Sequence, residues 1–248
     1  MIAIDLKGEA TIVTGASRGI GRAIALTFAE AGSNLLINYR QDEAGALSLA
    51  AEIAALNVEV EVLQGSVAEP AFAESLAATC MSRFGRIDCL VNNAGITRDN
   101  YLAFMKEEEW RQVMEVNLDS LFYTSKAVVK RMIAKRKGAI VNLSSISAVT
   151  GREGQVNYAA AKAGVLGFTR SLAREVGRYG VRVNAMVTGL VETDMTKKLP
   201  KKIVDTILTQ TPLGRMARPC EIAQTALFLA SGLSSFVTGS CLEVDGGI

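Results

Sequence analysis

Near the start of the chain, Gly15-Ala16-Ser17-Arg18-Gly19-Ile20-Gly21 joins two segments of different character. Before it, Ala10 to Thr14 reads as a short buried strand. After it, Arg22 to Ala31 carries Ile24, Ala25, Phe28 and Ala29 at helical spacing. A strand, a glycine turn and a helix in direct succession admit few folds. The glycines let the backbone turn tightly and approach a ligand, while a helix N-terminus offers unpaired N–H groups and a partial positive charge. The pyrophosphate of a dinucleotide suits that arrangement.

Glycine spacing alone is weak, since 22 glycines in 248 residues produce triplets by chance. The rest of the chain gives the turn its setting. Further strand patterns lie near 34–39, 59–64, 87–91, 138–144, 181–186 and 240–244, with helical patterns between them. This alternation predicts a Rossmann-type α/β fold, doubly wound in three layers, with a seven-stranded parallel sheet. Right-handed crossovers place a ligand outside the carboxyl ends of the strands.

The chain can bury a full core at 49% hydrophobic content, and residues 1–248 contain no linker, repeat or block of like charge, so one domain is expected. A net charge of +2 gives no reason to expect nucleic acid. Cys80, Cys89, Cys220 and Cys241 have no metal-ligand spacing, and with no histidine present no metal is expected. Reduced thiols point to the cytoplasm. Ile222 to Leu242 is uncharged, but Ser231-Gly232, Ser234-Ser235 and Thr238-Gly239-Ser240 punctuate it. Helix, loop and final strand is therefore expected there, with no membrane span.

The lack of histidine also removes the commonest general acid and base. Tyr158 and Lys162, four residues apart on a predicted helix, share one face. A Tyr phenol titrates near about 10, and a neighbouring ammonium is expected to lower that value. The pair is the best available proton source.

The Gly-x-x-x-Gly-x-Gly turn after Thr14, Asn92-Asn93-Ala94-Gly95, Asn117, Ser145, Tyr158-x-x-x-Lys162 and Val244-Asp245-Gly246-Gly247 stand in the order and spacing of the short-chain dehydrogenase/reductase family, which the chain resembles over almost its whole length. The resemblance implies a catalytic tetrad. Tyr158 would give a proton to a carbonyl oxygen, Ser145 would hydrogen-bond that oxygen, Lys162 would hold the nicotinamide ribose and acidify Tyr158, and Asn117 would hold a water. Ser145 rather than Ser144 stands thirteen residues before the tyrosine, as in the family. Asn92 is expected to tie neighbouring strands together. Cofactor contacts are implied at Gly15, Ser17, Arg18, Gly19, Ile20, Gly21, Tyr39, Arg40, Ser66, Val67, Asn93, Ala94, Gly95, Tyr158, Lys162, Gly189, Val191 and Thr193.

After the second strand the chain reads Asn38-Tyr39-Arg40, with no acid to accept from ribose hydroxyls. Arg40 and Arg18 can pair with a 2′-phosphate, so NADPH is the expected cofactor. Two positions depart from the family pattern: Thr188 replaces the usual proline before Gly189, predicting a looser loop, and Ser66 stands where an Asp or Asn commonly binds adenine.

Asn142 to Lys162 and Glu175 to Met195 most resemble the bacterial 3-oxoacyl-[acyl-carrier-protein] reductases within the family. That resemblance implies reduction of a 3-oxoacyl chain on an acidic acyl carrier protein, docking through Arg136 and Arg178 near the mouth of the site, and a homotetramer built through 107–132, 156–178 and the C-terminus. Polyketides, coenzyme A thioesters and small ketones are alternative substrates. A noncatalytic dinucleotide-binding module is the alternative of another class.

Overall fold

The computed structural model describes residues 4–194 and 196–248. Its strands are β1 (Ala10–Val13), β2 (Asn34–Tyr39), β3 (Val60–Gln64), β4 (Cys89–Asn92), β5 (Gly138–Ser145), β6 (Val181–Thr188) and β7 (Cys241–Val244). They pair in parallel in the order β3-β2-β1-β4-β5-β6-β7. All seven expected strands form, and their ends differ from the expected ones by at most two residues. Strand order reverses between β1 and β4, the crevice at which open α/β sheets take their ligands.

The nine α-helices found among the described residues are α1 (Gly19–Glu30), α2 (Glu43–Ala54), α3 (Pro70–Phe84), α4 (Glu107–Met114), α5 (Ser120–Lys135), α6 (Ser147–Thr150), α7 (Val156–Val176), α8 (Lys201–Gln210) and α9 (Pro219–Ala230). Side chains alternate across a strand, so each strand feeds two cores. Leu35, Ile37, Cys89, Val91, Val141 and Leu143 meet α1, α2 and α9 on one face. Ile12, Leu36, Leu90, Ile140 and Val183 meet α3, α5 and α7 on the other. Helix α1 buries Ile24, Ala25, Phe28 and Ala29, the stripe its sequence spacing predicts.

Polar groups join the layers where the sheet meets its helices. Asn92 Nδ2 donates to Asn142 Oδ1 at 2.9 Å, and Thr124 Oγ1 donates to Asn92 Oδ1 at 2.7 Å, so Asn92 ties β4 to β5 and α5. Asp88 accepts the Ala10 amide at 2.9 Å and two bonds from Arg86. The uncharged stretch after Ile222 divides into α9, a short 3-10 turn and β7. No described helix is long and apolar enough to cross a membrane.

Candidate active site

The glycine turn runs from the carboxyl end of β1 into α1. Gly15 and Gly19 have φ of +63° and +58°, and a Cβ on Gly15 would lie 2.9 Å from Ala94 Cα. A Cβ on Gly21 would collide with Asn93 Nδ2 and Gly15 O. Two loops therefore meet at van der Waals distance, which holds the turn open. Arg18 is the N-cap of α1 and makes no side-chain cap bond, which leaves the first helical amides free for an external anion. Ser17 and Ile20 flank that opening.

Asn93 backs the turn, donating from Nδ2 to the carbonyls of Thr14 at 2.9 Å and Gly15 at 3.0 Å. The Thr14 hydroxyl accepts from the amides of Asn93 and Ala94. Buried Asn38 does the same from β2, accepting the Gly15 amide and donating to the carbonyls of Leu63 and Gly65. Sequence reasoning assigned Asn38 no part, because its buried amide is recognisable only once three segments converge on it.

At the end of β2 Tyr39 is buried and Arg40 exposed. Neither Arg18 nor Arg40 enters an ion pair among the described residues, so both cations are available to a phosphate. Val67 is buried and Ser66 half-buried after β3. Across the crevice a Cβ on Gly19 would touch Thr193 Cγ2 at 3.4 Å, and Val191 is held by a bridge to Ala217. The glycine turn and the Gly189 to Thr193 segment thus adjoin at the carboxyl edge of the sheet.

Thr188 is the last residue of β6, in register with Ser145 and Val244, and its hydroxyl donates to Ser144 O at 3.2 Å. The side chain thus forms a tie between β5 and β6 at the point where the loop leaves the sheet.

The tetrad positions converge at the carboxyl ends of β4 and β5. Alternation along β5 separates the two serines. Ser144 is buried, with its hydroxyl donating to Lys162 O at 2.9 Å. Ser145 is half-buried and accepts the Ser147 amide at 3.2 Å, and its hydroxyl lies on the side of Tyr158, where it acts to lower the phenol's pKa. Asn117 occupies a π-helical turn, Glu115–Asp119, between α4 and α5. Its side chain clamps Ile96, accepting the amide at 2.9 Å and donating to the carbonyl at 2.8 Å. The side chain is thereby engaged at both its polar atoms with backbone.

Lys162 lies on α7, nearly fully buried, with Nζ donating to Leu143 O at 2.8 Å and standing 5.8 Å from the Tyr158 ring centre. Burial pulls its pKa down to about 8. Burial also pushes the Tyr158 phenol up to about 12, against the hydrogen bond from Ser145 and with the Asp99 charge adding to the rise. In the cofactor-free chain the causes acting on the phenol therefore do not include the lowering expected from Lys162. Desolvation outweighs any help from an ammonium that is turned toward Leu143.

Arg136 and Arg178 are brought together, the Arg136 guanidinium donating to Arg178 O at 3.3 Å. They stand at the end of α5 and after α7, beside Gly138 at the start of β5. Ser145 ends that eight-residue strand, about 25 Å away at the usual strand rise. The two arginines do not border the mouth of this subunit's site. That part of the docking expectation is corrected, because a parallel sheet puts its helix-to-strand and strand-to-helix connections at opposite edges.

A Rossmann-type sheet whose switch-point cleft brings Ser, Tyr and Lys beside a glycine turn defines a nicotinamide-dinucleotide oxidoreductase. The chain belongs to the short-chain dehydrogenase/reductase family. A family model described as enoyl-(acyl carrier protein) reductase matches residues 15–248. The chain is 46% identical to the 3-oxoacyl-[acyl-carrier-protein] reductase FabG of Vibrio cholerae, over 99% of each chain. It is 45% identical to that of Escherichia coli K12, again over 99% of each. The Staphylococcus aureus Mu50 protein of the same name is 43% identical, over 97% of this chain and 98% of its own. A crystal structure described as a short-chain alcohol dehydrogenase from Sinorhizobium meliloti 1021 superposes with a TM-score of 0.95 at 33% identity, covering 99% of this chain and 98% of the other.

Proposed function

We propose that this protein reduces a 3-oxoacyl thioester carried on acyl carrier protein to the 3-hydroxyacyl product, with NADPH as cofactor, in fatty-acid or related biosynthesis. The carrying observation is that Tyr158 and Lys162 share one face of α7, with Nζ 5.8 Å from the phenol ring, beside Ser145 at the carboxyl end of β5, joined to 43–46% identity with reductases of that name. The bound nicotinamide supplies the hydride. The residues of the chain then handle the charge that appears on the substrate oxygen. Ser145 donates a hydrogen bond to it, and Tyr158 gives it a proton.

A phenol pushed up to about 12 is protonated at neutral pH and still far more acidic than the alcohol formed. Proton transfer to the nascent alkoxide is therefore downhill, and the phenolate then recovers its proton from solvent. Lys162 Nζ, 5.8 Å from the Tyr158 ring centre, when protonated favours the phenolate left behind through space while it stays bonded to Leu143 O. Asn117 positions Ile96 and, through it, the Gly95 wall of the cleft. Arg18 and Arg40 select the 2′-phosphate.

An acidic carrier needs cations beside the mouth. Arg98 and Arg152 stand on the two segments joined by the Asn100 amide to Gly154 carbonyl bond, at the correct edge of the sheet. A homotetramer in the cytoplasm is part of the same reading. Edge strand β7 is only partly buried, and Leu233, Phe236 and Leu242 around it are exposed, as are Trp110 and Phe122 on α4 and α5.

The test is NADPH oxidation with acetoacetyl thioesters of acyl carrier protein and of coenzyme A, beside a 2-butenoyl thioester and a Tyr158→Phe control. Turnover is expected with the carrier-bound 3-oxo substrate and should fall about 10²–10⁴-fold in the control. Preference for the 2-butenoyl thioester would make the protein an enoyl reductase instead.

A further inference from the structure

Behind the catalytic serine runs a hydrogen-bonded chain that the proposed reaction does not by itself require. Gln155, nearly fully buried just before α7, donates from Nε2 to Asp99 Oδ2 at 2.9 Å. Its Oε1 accepts the hydroxyl of buried Ser147 at 3.1 Å. The Ser147 amide in turn donates to Ser145 Oγ at 3.2 Å.

The direction of every link follows from chemistry. An ionised carboxylate only accepts, so the amide nitrogen of Gln155 must face Asp99. Its oxygen then faces Ser147, and that hydroxyl must donate. With Ser147 held, its N–H occupies one lone pair of Ser145 Oγ. The Ser145 hydrogen is thereby turned away from Ser147 and left for the oxygen it serves.

Two further contacts fasten the segments that carry this chain. Asn100 N donates to Gly154 O at 2.9 Å, and buried Asn157 donates to the carbonyls of Arg98 at 3.0 Å and Glu109 at 3.3 Å. The loop after β4 is thus stapled to the start of the helix that bears Tyr158.

We infer that Gln155 is a positioning residue which, held by Asp99 and acting through Ser147, sets the direction in which Ser145 donates. The inference rests on the ketoreductase reading of Ser145. Loss of the Gln155 amide should lower kcat on a 3-oxoacyl thioester by about 10–100-fold, as small misplacements of a catalytic group do. The KM and Kd for NADPH should not move, because the cofactor cleft is built from other residues.

The deciding experiment uses a donor–acceptor exchange. In Gln155→Glu two carboxylates oppose each other, and activity should fall at least as far as in Gln155→Ala. In the double variant Asp99→Asn with Gln155→Glu, the new amide at 99 donates to the new carboxylate at 155, which still accepts from Ser147. Activity should return to within about threefold of wild type, a coupling that independent sites would not show. Rescue does not depend on whether Gln155→Ala folds well. If the double variant is no more active than Gln155→Glu alone, or Gln155→Ala keeps the wild-type kcat, the inference is overturned. A wild-type protein inactive on every 3-oxoacyl thioester would instead overturn the ketoreductase reading, so the two failures are distinguishable.

Discussion

Lys162 Nζ donates to the carbonyl oxygen of Leu143 at 2.8 Å, so the one lysine of the site is anchored to strand β5 rather than to the tyrosine one helical turn before it. Burial lowers its pKa from 10.5 to about 8. Between those values the unfolded chain holds a proton that the folded chain has released, so stability rises with pH from about 8 toward 10. Tyr158 acts oppositely, but only above its ordinary value of 10. Lys162→Met removes the buried cation and should stabilise the cofactor-free protein at pH 7 by about 1–3 kcal/mol while abolishing turnover. Buried Cys80 and Cys89, whose thiols burial pushes up from 9.0, lower both curves alike above about pH 9, so the reading is the difference: the urea midpoint of the wild type should gain on that of the variant between pH 8 and 10, and parallel curves would refute the assignment.

The 2′-phosphate preference should reside in the two unpaired arginines. A charge-assisted hydrogen bond contributes about 1.5–3 kcal/mol, so Arg40→Asp should cut the ratio of kcat/KM for NADPH over NADH by roughly 10–100-fold. Initial rates with both cofactors decide it. An unchanged ratio would show Arg40 to be an ordinary solvated charge.

Glycines 21 and 167 should respond to alanine in opposite ways. A Cβ at 21 meets Asn93 and the Gly15 carbonyl, and neither can retreat without moving the turn. Gly21→Ala should lose about 1–3 kcal/mol of stability together with NADPH binding. Gly167 is exposed on α7 with nothing within 4 Å of a new Cβ, and Gly167→Ala should gain about 0.4–1 kcal/mol. Thermal melts with and without NADPH compare them directly.

Asn92→Ala leaves the Asn142 carbonyl oxygen without its buried donor, while the Thr124 hydroxyl keeps the Ser120 carbonyl at 2.7 Å. The expected loss is about 1–3 kcal/mol. Denaturant unfolding measures it, and a change below 0.5 kcal/mol, on the order of a surface substitution, would mean that water replaces the amide.

The strands were legible because a parallel sheet buried on both faces demands continuous apolar runs, and Leu35 to Ile37 and Leu90 to Val91 supply them. The glycine turn was legible for a similar reason: conformation at Gly15 and Gly19 is a local property written in one residue type. Asn38, Asp99, Ser147 and Gln155 were not legible as parts of a site. Their side chains act on segments more than twenty residues away or through an intervening backbone amide, and nothing in their own neighbourhood records those partners.

The sequence by itself determined the layers of this protein, the turn that receives a phosphate, and the single Tyr-x-x-x-Lys face able to carry a proton without histidine. Those features depend on periodicity and residue type, which are local. Only the tertiary structure decided which way Lys162 points, that burial pushes the Tyr158 pKa up, that Thr188 ties two strands, and that Arg136 and Arg178 sit at the far edge of the sheet. Each of these depends on desolvation or on distance between segments remote in the chain, and both are set only when the sheet closes and its two edges acquire their separate surroundings.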